Sequence, residues 1–148
     1  MLIDYFPYFN ERELLELRIN LLKDHIDHFV IVEADRTFSG LPRSFQVKKL
    51  IAELGLPQDR ITVLELHYAD DIDLPLQQQD LTAMYPDDRG DVASIMAVAR
   101  ERIQRNAIMQ ILDQIDDTAW ILMSDCDEII NPEHIGFALN VARNNPGI

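Results

Sequence analysis

The sequence predicts an α/β fold, a mainly parallel sheet with helices on both faces. Three observations lead there. Short β-rich runs alternate with stretches of helical periodicity, in the order β-α-β-α-β-loop-α-β-α. The runs HFVIVE and WILM are apolar on both sides of the strand, as strands covered on two faces are. The chain has 148 residues, 47% hydrophobic and 26% charged, which suits one domain with a full core and no staples.

Taken in order, LIDYF (2–6) is the first strand, closed by Pro7. Asn10 followed by Glu13 has the form of a capping box. Leu14, Leu17 and Leu21, with Leu15, Ile19 and Leu22, then recur at helical spacing to about Lys23. HFVIVE (28–33) is the second strand. Ser39-Gly40-Leu41-Pro42 is turn chemistry. Ser44 is placed to cap a helix carrying Val47, Leu50, Ile51 and Leu54, stopped by Gly55 with Pro57 beyond. ITVLEL (61–66) is the third strand. Residues 68–90 break the pattern: acidic, with Gln77-Gln78-Gln79, Pro75, Pro86 and Gly90, they read as a long acidic loop insertion. Asp91 is a cap for the next helix, where Val92, Ile95, Met96, Ala99, Ile103, Ala107 and Ile111 keep a 3.6-residue period to about Gln114. WILM (120–123) is a fourth strand, wholly apolar and so expected at the centre of the sheet. Pro132 suits the first turn of a last helix, running through Arg143 and ended by Pro146-Gly147. One domain over 1–148 follows, with no internal repeat.

Lys and Arg number 13 against 26 Asp and Glu, a net charge of −13. Such a chain repels phosphates, which argues against nucleic acid and anionic membranes as partners. The acid concentrates in 65–91 and 116–133, suiting either divalent cations or a solvated surface. A single cysteine, Cys126, excludes an intrachain disulfide and a multi-thiolate zinc site. No apolar run reaches the roughly 18 residues of a membrane span. MLIDYFPYFN has neither a basic nor a long apolar signal region, so a cytoplasmic location is expected if Met1 is the start. G-x-G-x-x-G, Walker A and G-x-S-x-G do not occur, which argues against a dinucleotide enzyme, a P-loop NTPase and an α/β-hydrolase.

Ligands of open α/β sheets bind beyond the carboxyl ends of the strands. There an apolar strand runs straight into Ser124-Asp125-Cys126-Asp127-Glu128. In extended chain, residues i and i+2 share a side, so Asp125 and Asp127 can face one cavity. Adjacent carboxylates favour a cation or a proton between them, and hard oxygen ligands suit Mg²⁺ or Mn²⁺ bridging to phosphates. The alternative is an acidic turn capping the next helix. In RERIQRN (100–106) the arginines offer planar forks to a diphosphate, or form a solvated face of Arg–Glu pairs. Thr37-Phe38-Ser39-Gly40 is either a ligand-facing loop or a turn packed by Phe38. His25, His28, His67 and His134 lack metal-ligand spacing. Cys126 reads as a small core residue, with no basic neighbour to activate it.

Three blocks carry a family likeness: DYFPYFNERELLELRINLL (4–22) continuing in DHFVIVEADRTFSG (27–40), RERIQRNAI (100–108), and ILMSDCDEIINP (121–132). On these the chain resembles glycosyltransferase family 17, the family of the β-1,4-mannosyl-glycoprotein N-acetylglucosaminyltransferase. Ile130 stands where that pattern has proline. The resemblance implies a GT-A-like, Rossmann-like fold incomplete at its C-terminus, with this chain as the N-terminal, donor-binding portion. It implies metal-dependent transfer of a sugar, GlcNAc foremost, from a UDP-sugar to a saccharide acceptor. Asp125 and Asp127 would hold Mn²⁺ or Mg²⁺, acting as a Lewis acid on the leaving diphosphate. Phe9, Asn10 and Glu33 would lie near the nucleoside, and Arg105 and Asn106 near the ribose or diphosphate. The catalytic base is expected beyond residue 148. A shortened sheet would expose apolar surface and favour a homo-oligomer. Two other readings stand beside this one. The first is a non-catalytic module binding nucleotide-sugar or protein. The second is a haloacid-dehalogenase-like phosphatase with a nucleophilic first Asp. Against the phosphatase, Glu128-Ile129 follow the second Asp where Gly-Thr would stand, and the strand is the fourth, not the first.

Overall fold

The computed structural model describes residues 1–68 and 92–144. In chain order these form β1 (Leu2–Pro7), α1 (Arg12–Leu22), β2 (His28–Ala34), α2 (Val47–Glu53), β3 (Ile61–Leu66), α3 (Val92–Asn106), β4 (Trp120–Met123) and α4 (Pro132–Asn144). Alternation along the two inner strands decides the layers. Leu2 and Phe6 of β1, with Phe29 and Ile31 of β2, belong to one core. Ile3 and Tyr5, with Val30, Val32 and Ala34, belong to the other. Strands apolar on both sides need a cover on each. The first core is closed by Leu15, Ile19 and Leu22 of α1, Val47, Leu50 and Ile51 of α2, and Ile135 of α4. The second is closed by Ile103 of α3 and by Ala107 and Ile108 just after it. The expected α/β architecture is present, a four-stranded sheet in the order β3-β2-β1-β4 with every pairing parallel.

That order positions the site. The chain steps outward from β1 to β2 to β3, then returns to the other side of β1. The order therefore reverses between β1 and β4, and a crevice opens at such a point. Tyr5 pairs with Met123, so the segments after β1 and β4 leave the sheet side by side.

Four expectations about elements change. β4 is an edge strand, not a central one. Trp120 and Leu122 pack against the first core and Ile121 against the second, so both faces are partly covered, while among the described residues β4 pairs with β1 alone. Apolar patterning reports faces, not flanks. Asn10 does not cap α1: its φ is 111°, in the left-handed region that Asn tolerates, and the helix starts at Arg12. Ser44 does not cap α2; that cap comes from Glu33 on β2. α3 stops at Asn106, and the apolar period continues through two 3₁₀ turns, Ala107–Gln110 and Leu112–Gln114. The acidic 68–90 segment beyond Tyr68, the Asp91 cap and Pro146-Gly147 lie outside the described residues.

Candidate functional site

At the reversal point lies an open cavity of about 380 Å³. Its walls include Phe9 after β1, Phe38 after β2, Glu101, Gln104 and Arg105 of α3, and Asp125 and Asp127 after β4. Phe9 and Phe38 meet with ring centroids 5.0 Å apart and planes tilted by 31°. This gives one wall a broad aromatic surface, suited to a flat ring.

The Phe38 wall is held by local chemistry. Gly40 N donates to Thr37 O at 2.9 Å and Leu41 N to Thr37 Oγ1 at 2.9 Å, closing a tight turn. Gly40 has φ 92°, and a Cβ there would sit 3.2 Å from Arg100 Nη2. The backbone conformation favours glycine, and a Cβ would in addition press on the Arg100 guanidinium. Arg100 Nη1 donates to Phe38 O at 2.8 Å. The turn packs through Phe38 against Phe9 and lines the cavity as well, and Arg100 holds it there.

The opposite wall is the Ser124–Glu128 loop. Its anchor is Arg18, 1% exposed within α1. Arg18 Nε and Nη2 donate to the two Asp4 oxygens at 2.8 and 2.7 Å. Nη2 also reaches Ser124 Oγ at 2.6 Å. Nη1 reaches the carbonyls of Asp125, Cys126 and Glu128 at 2.6, 3.2 and 3.3 Å. The guanidinium lies 4.4 Å from the Phe6 ring centroid. With the carbonyls turned inward, Asp127 is exposed and Asp125 half-exposed, while Cys126 is buried. Burial pushes the Cys126 thiol up to about 12, which makes it a core residue and not a nucleophile.

Phe9, Arg105, Asp125 and Asp127 are therefore brought together. Arg105 Nη2 donates to both Asp125 oxygens, at 2.9 and 3.2 Å, and its Nε to Glu101 Oε1 at 3.0 Å. Those contacts, Glu101 first, hold the Arg105 pKa above its ordinary value. Asn10 and Asn106 are exposed and stand outside the cavity wall. Glu33 is fully buried, and its carboxylate accepts from Gln46 N at 2.9 and 3.0 Å and from Val47 N at 3.0 Å. Arg43, 3.8 Å away, links it to the cavity wall, with its guanidinium 4.7 Å from the Phe9 ring centroid.

Arg18 and Asp4 were not among the candidate site residues. A signal for them existed: Arg18 occupies the buried stripe Leu15-Arg18-Ile19-Leu22, and Asp4 sits inside an apolar strand. A charge in each of two core positions points to a pair.

Among the described residues, no group of three or more His, Cys, Asp or Glu side chains forms a ready-made metal cage. Two aspartates on one cavity wall still fit Mg²⁺ or Mn²⁺. Such ions are commonly held by one or two carboxylates, with waters and substrate phosphates completing the shell. No helix among the described residues is long and apolar enough to cross a membrane.

Neither a curated protein nor a solved structure matches the chain significantly. The family model for glycosyltransferase family 17 matches residues 2–144, nearly the whole chain. That span takes in both cavity walls and the Arg18 anchor, and the chain belongs to glycosyltransferase family 17.

Proposed function

We propose that the cavity between β1 and β4 is the donor site of a metal-dependent glycosyltransferase, taking a UDP-sugar, foremost UDP-GlcNAc, and serving a saccharide acceptor. One observation carries the reading: an aromatic wall, an arginine fork and two aspartates line a single cavity at the reversal of strand order. The Phe9–Phe38 surface takes a flat base or sugar face. Asp125 and Asp127 hold the divalent cation, which supplies charge neutralisation to the departing diphosphate. Arg105, once released from Asp125, offers its fork to the diphosphate. Membership of a glycosyltransferase family favours this reading over the phosphatase.

The test is thermal unfolding with UDP, UDP-GlcNAc and UDP-glucose, each with and without Mn²⁺. A ligand at ~100 times its dissociation constant adds ~2.7 kcal/mol of stability, readily seen as a melting shift. The expected result is a metal-dependent shift, largest with UDP-GlcNAc and absent in Asp127→Ala. A cooperative melt that none of these ligands moves overturns the donor-site reading and favours the non-catalytic one.

A further inference from the structure

We propose that Arg18 is the positioning residue of the Ser124–Glu128 loop: it sets the direction in which the Asp125 and Asp127 carboxylates leave the backbone, and so the strength with which they hold a divalent cation. The second half of this rests on the reading of those aspartates as metal ligands.

Burial of a guanidinium makes strict demands on its surroundings. A charge taken out of water needs a counter-charge and partners for its remaining protons. Asp4 supplies the counter-charge with two parallel contacts, at 2.8 and 2.7 Å. A pair concerned only with β1 and α1 would end there. Instead the outer edge of the fork fans across the loop, taking the Ser124 hydroxyl and the carbonyls of Asp125, Cys126 and Glu128. Ser124 Oγ also lies 3.2 Å from Glu128 O, and Asp125 N donates to Glu128 Oε2 at 3.0 Å, so the loop closes on itself around the guanidinium.

Around the guanidinium, residues 125–128 form a tight turn, Glu128 N donating to Asp125 O at 3.0 Å, and the turn separates its side chains. Cys126 goes into the core, while Asp125 and Asp127 line the cavity. A lysine could match the charge but not the fan, because its single ammonium cannot reach along a plane as the guanidinium does. Fold stability does not by itself explain such a pair. Buried ion pairs are often replaceable by apolar residues without loss. What an apolar replacement would lose is the fixed loop.

The experiment compares the full chain with Arg18→Lys and Ser124→Ala. Two quantities are read: hydrogen exchange of the 124–128 amides without metal, and Mn²⁺ affinity by electron paramagnetic resonance with UDP present, each well below the melting temperature. For Arg18→Lys we expect clearly faster exchange confined to the loop, with β1 and β2 amides unchanged. Mn²⁺ binding should weaken by ~10-fold or more, as when other outer-shell partners of metal ligands are lost. Ser124→Ala should shift both in the same direction by less. A folded Arg18→Lys that keeps wild-type exchange and wild-type Mn²⁺ affinity overturns the proposal. If Arg18→Lys does not fold, Ser124→Ala decides, and no change in either readout overturns it. If the unaltered chain binds no Mn²⁺, the metal reading falls together with the affinity half of the proposal. The exchange measurement then still decides whether Arg18 holds the loop.

Discussion

Acidic side chains serve opposite purposes at the ends of β2 and β4. Glu33 points into the core, and its oxygens are taken up by the Gln46 and Val47 amides. Asp125 and Asp127 stand two and four residues beyond the end of β4, on a loop whose carbonyls Arg18 has drawn inward. Glu33 lies on the strand, between two layers, and the fold consumes it. The aspartates lie past the strand, where only a ligand or a surface arginine can engage them. Being on the strand or two to four residues past it separates a structural carboxylate from an available one.

The largest expected effect tests the structural side. Glu33→Ala would leave the first amides of α2 without an acceptor and Arg43 without its counter-charge. Each unsatisfied buried donor costs roughly 1–3 kcal/mol, so a loss of about 3 kcal/mol is expected. Urea unfolding measures it as a lower midpoint at unchanged slope. A variant as stable as wild type would mean that the carboxylate is dispensable to the fold, and Glu33 would return as a candidate ligand residue.

Asp127→Ala tests the other side. An exposed aspartate with no side-chain hydrogen bond or ion pair among the described residues should change metal-free stability by no more than about 0.5 kcal/mol. Its whole effect should appear with ligand, as loss of the ~2.7 kcal/mol that UDP-sugar and Mn²⁺ add near saturation. A large loss without ligand would erase the contrast between the two regions.

Much of this was legible in advance. The order of elements and the four strands follow from periodicity; the strand running into an acidic turn pointed to Asp125 and Asp127, which line one cavity, although they do so from a tight turn and not from the extended chain expected. What escaped was set by contacts distant in sequence. The α2 cap comes from a neighbouring strand, Glu33, and not from nearby Ser44. Arg18 meets a loop more than a hundred residues away, which no local pattern reports, although its place on a buried stripe marked it as paired. The edge position of β4 escaped because alternation records which faces are covered and carries nothing about which flank has a neighbour.

Arg105 gives a smaller effect and sharpens what availability means. Its pair with Asp125 is more than a third exposed on both sides, so breaking it costs no more than about 1 kcal/mol. A divalent cation can therefore displace it. Arg105→Ala should leave metal-free stability nearly unchanged and Mn²⁺ affinity without UDP equal or a few-fold tighter, since a competing positive charge is gone. UDP affinity with Mn²⁺ present should fall, because the diphosphate loses its fork. Isothermal titration with metal first and UDP second separates the two. Weaker metal binding without UDP would mean that Arg105 supports Asp125 instead of competing for it.

The smallest effect carries the same rule to the other end of β2, where the fold has again claimed a titratable group on the strand. His28 Nε2 lies 2.8 Å from Thr62 Oγ1. Burial, helped by the Arg60 charge, lowers the His28 pKa from its ordinary 6.5. Below that value the unfolded chain binds the proton more readily than the folded one, so stability rises with pH across the window. The contribution is complete above the unfolded value and is lost as pH falls toward the folded one. Between pH 7.5 and 5.5 wild type should therefore lose stability relative to His28→Gln, which keeps a side-chain partner for Thr62 and cannot titrate. Parallel pH profiles for the two would place His28 on the available side of the comparison, with the aspartates of the β4 loop and not with Glu33.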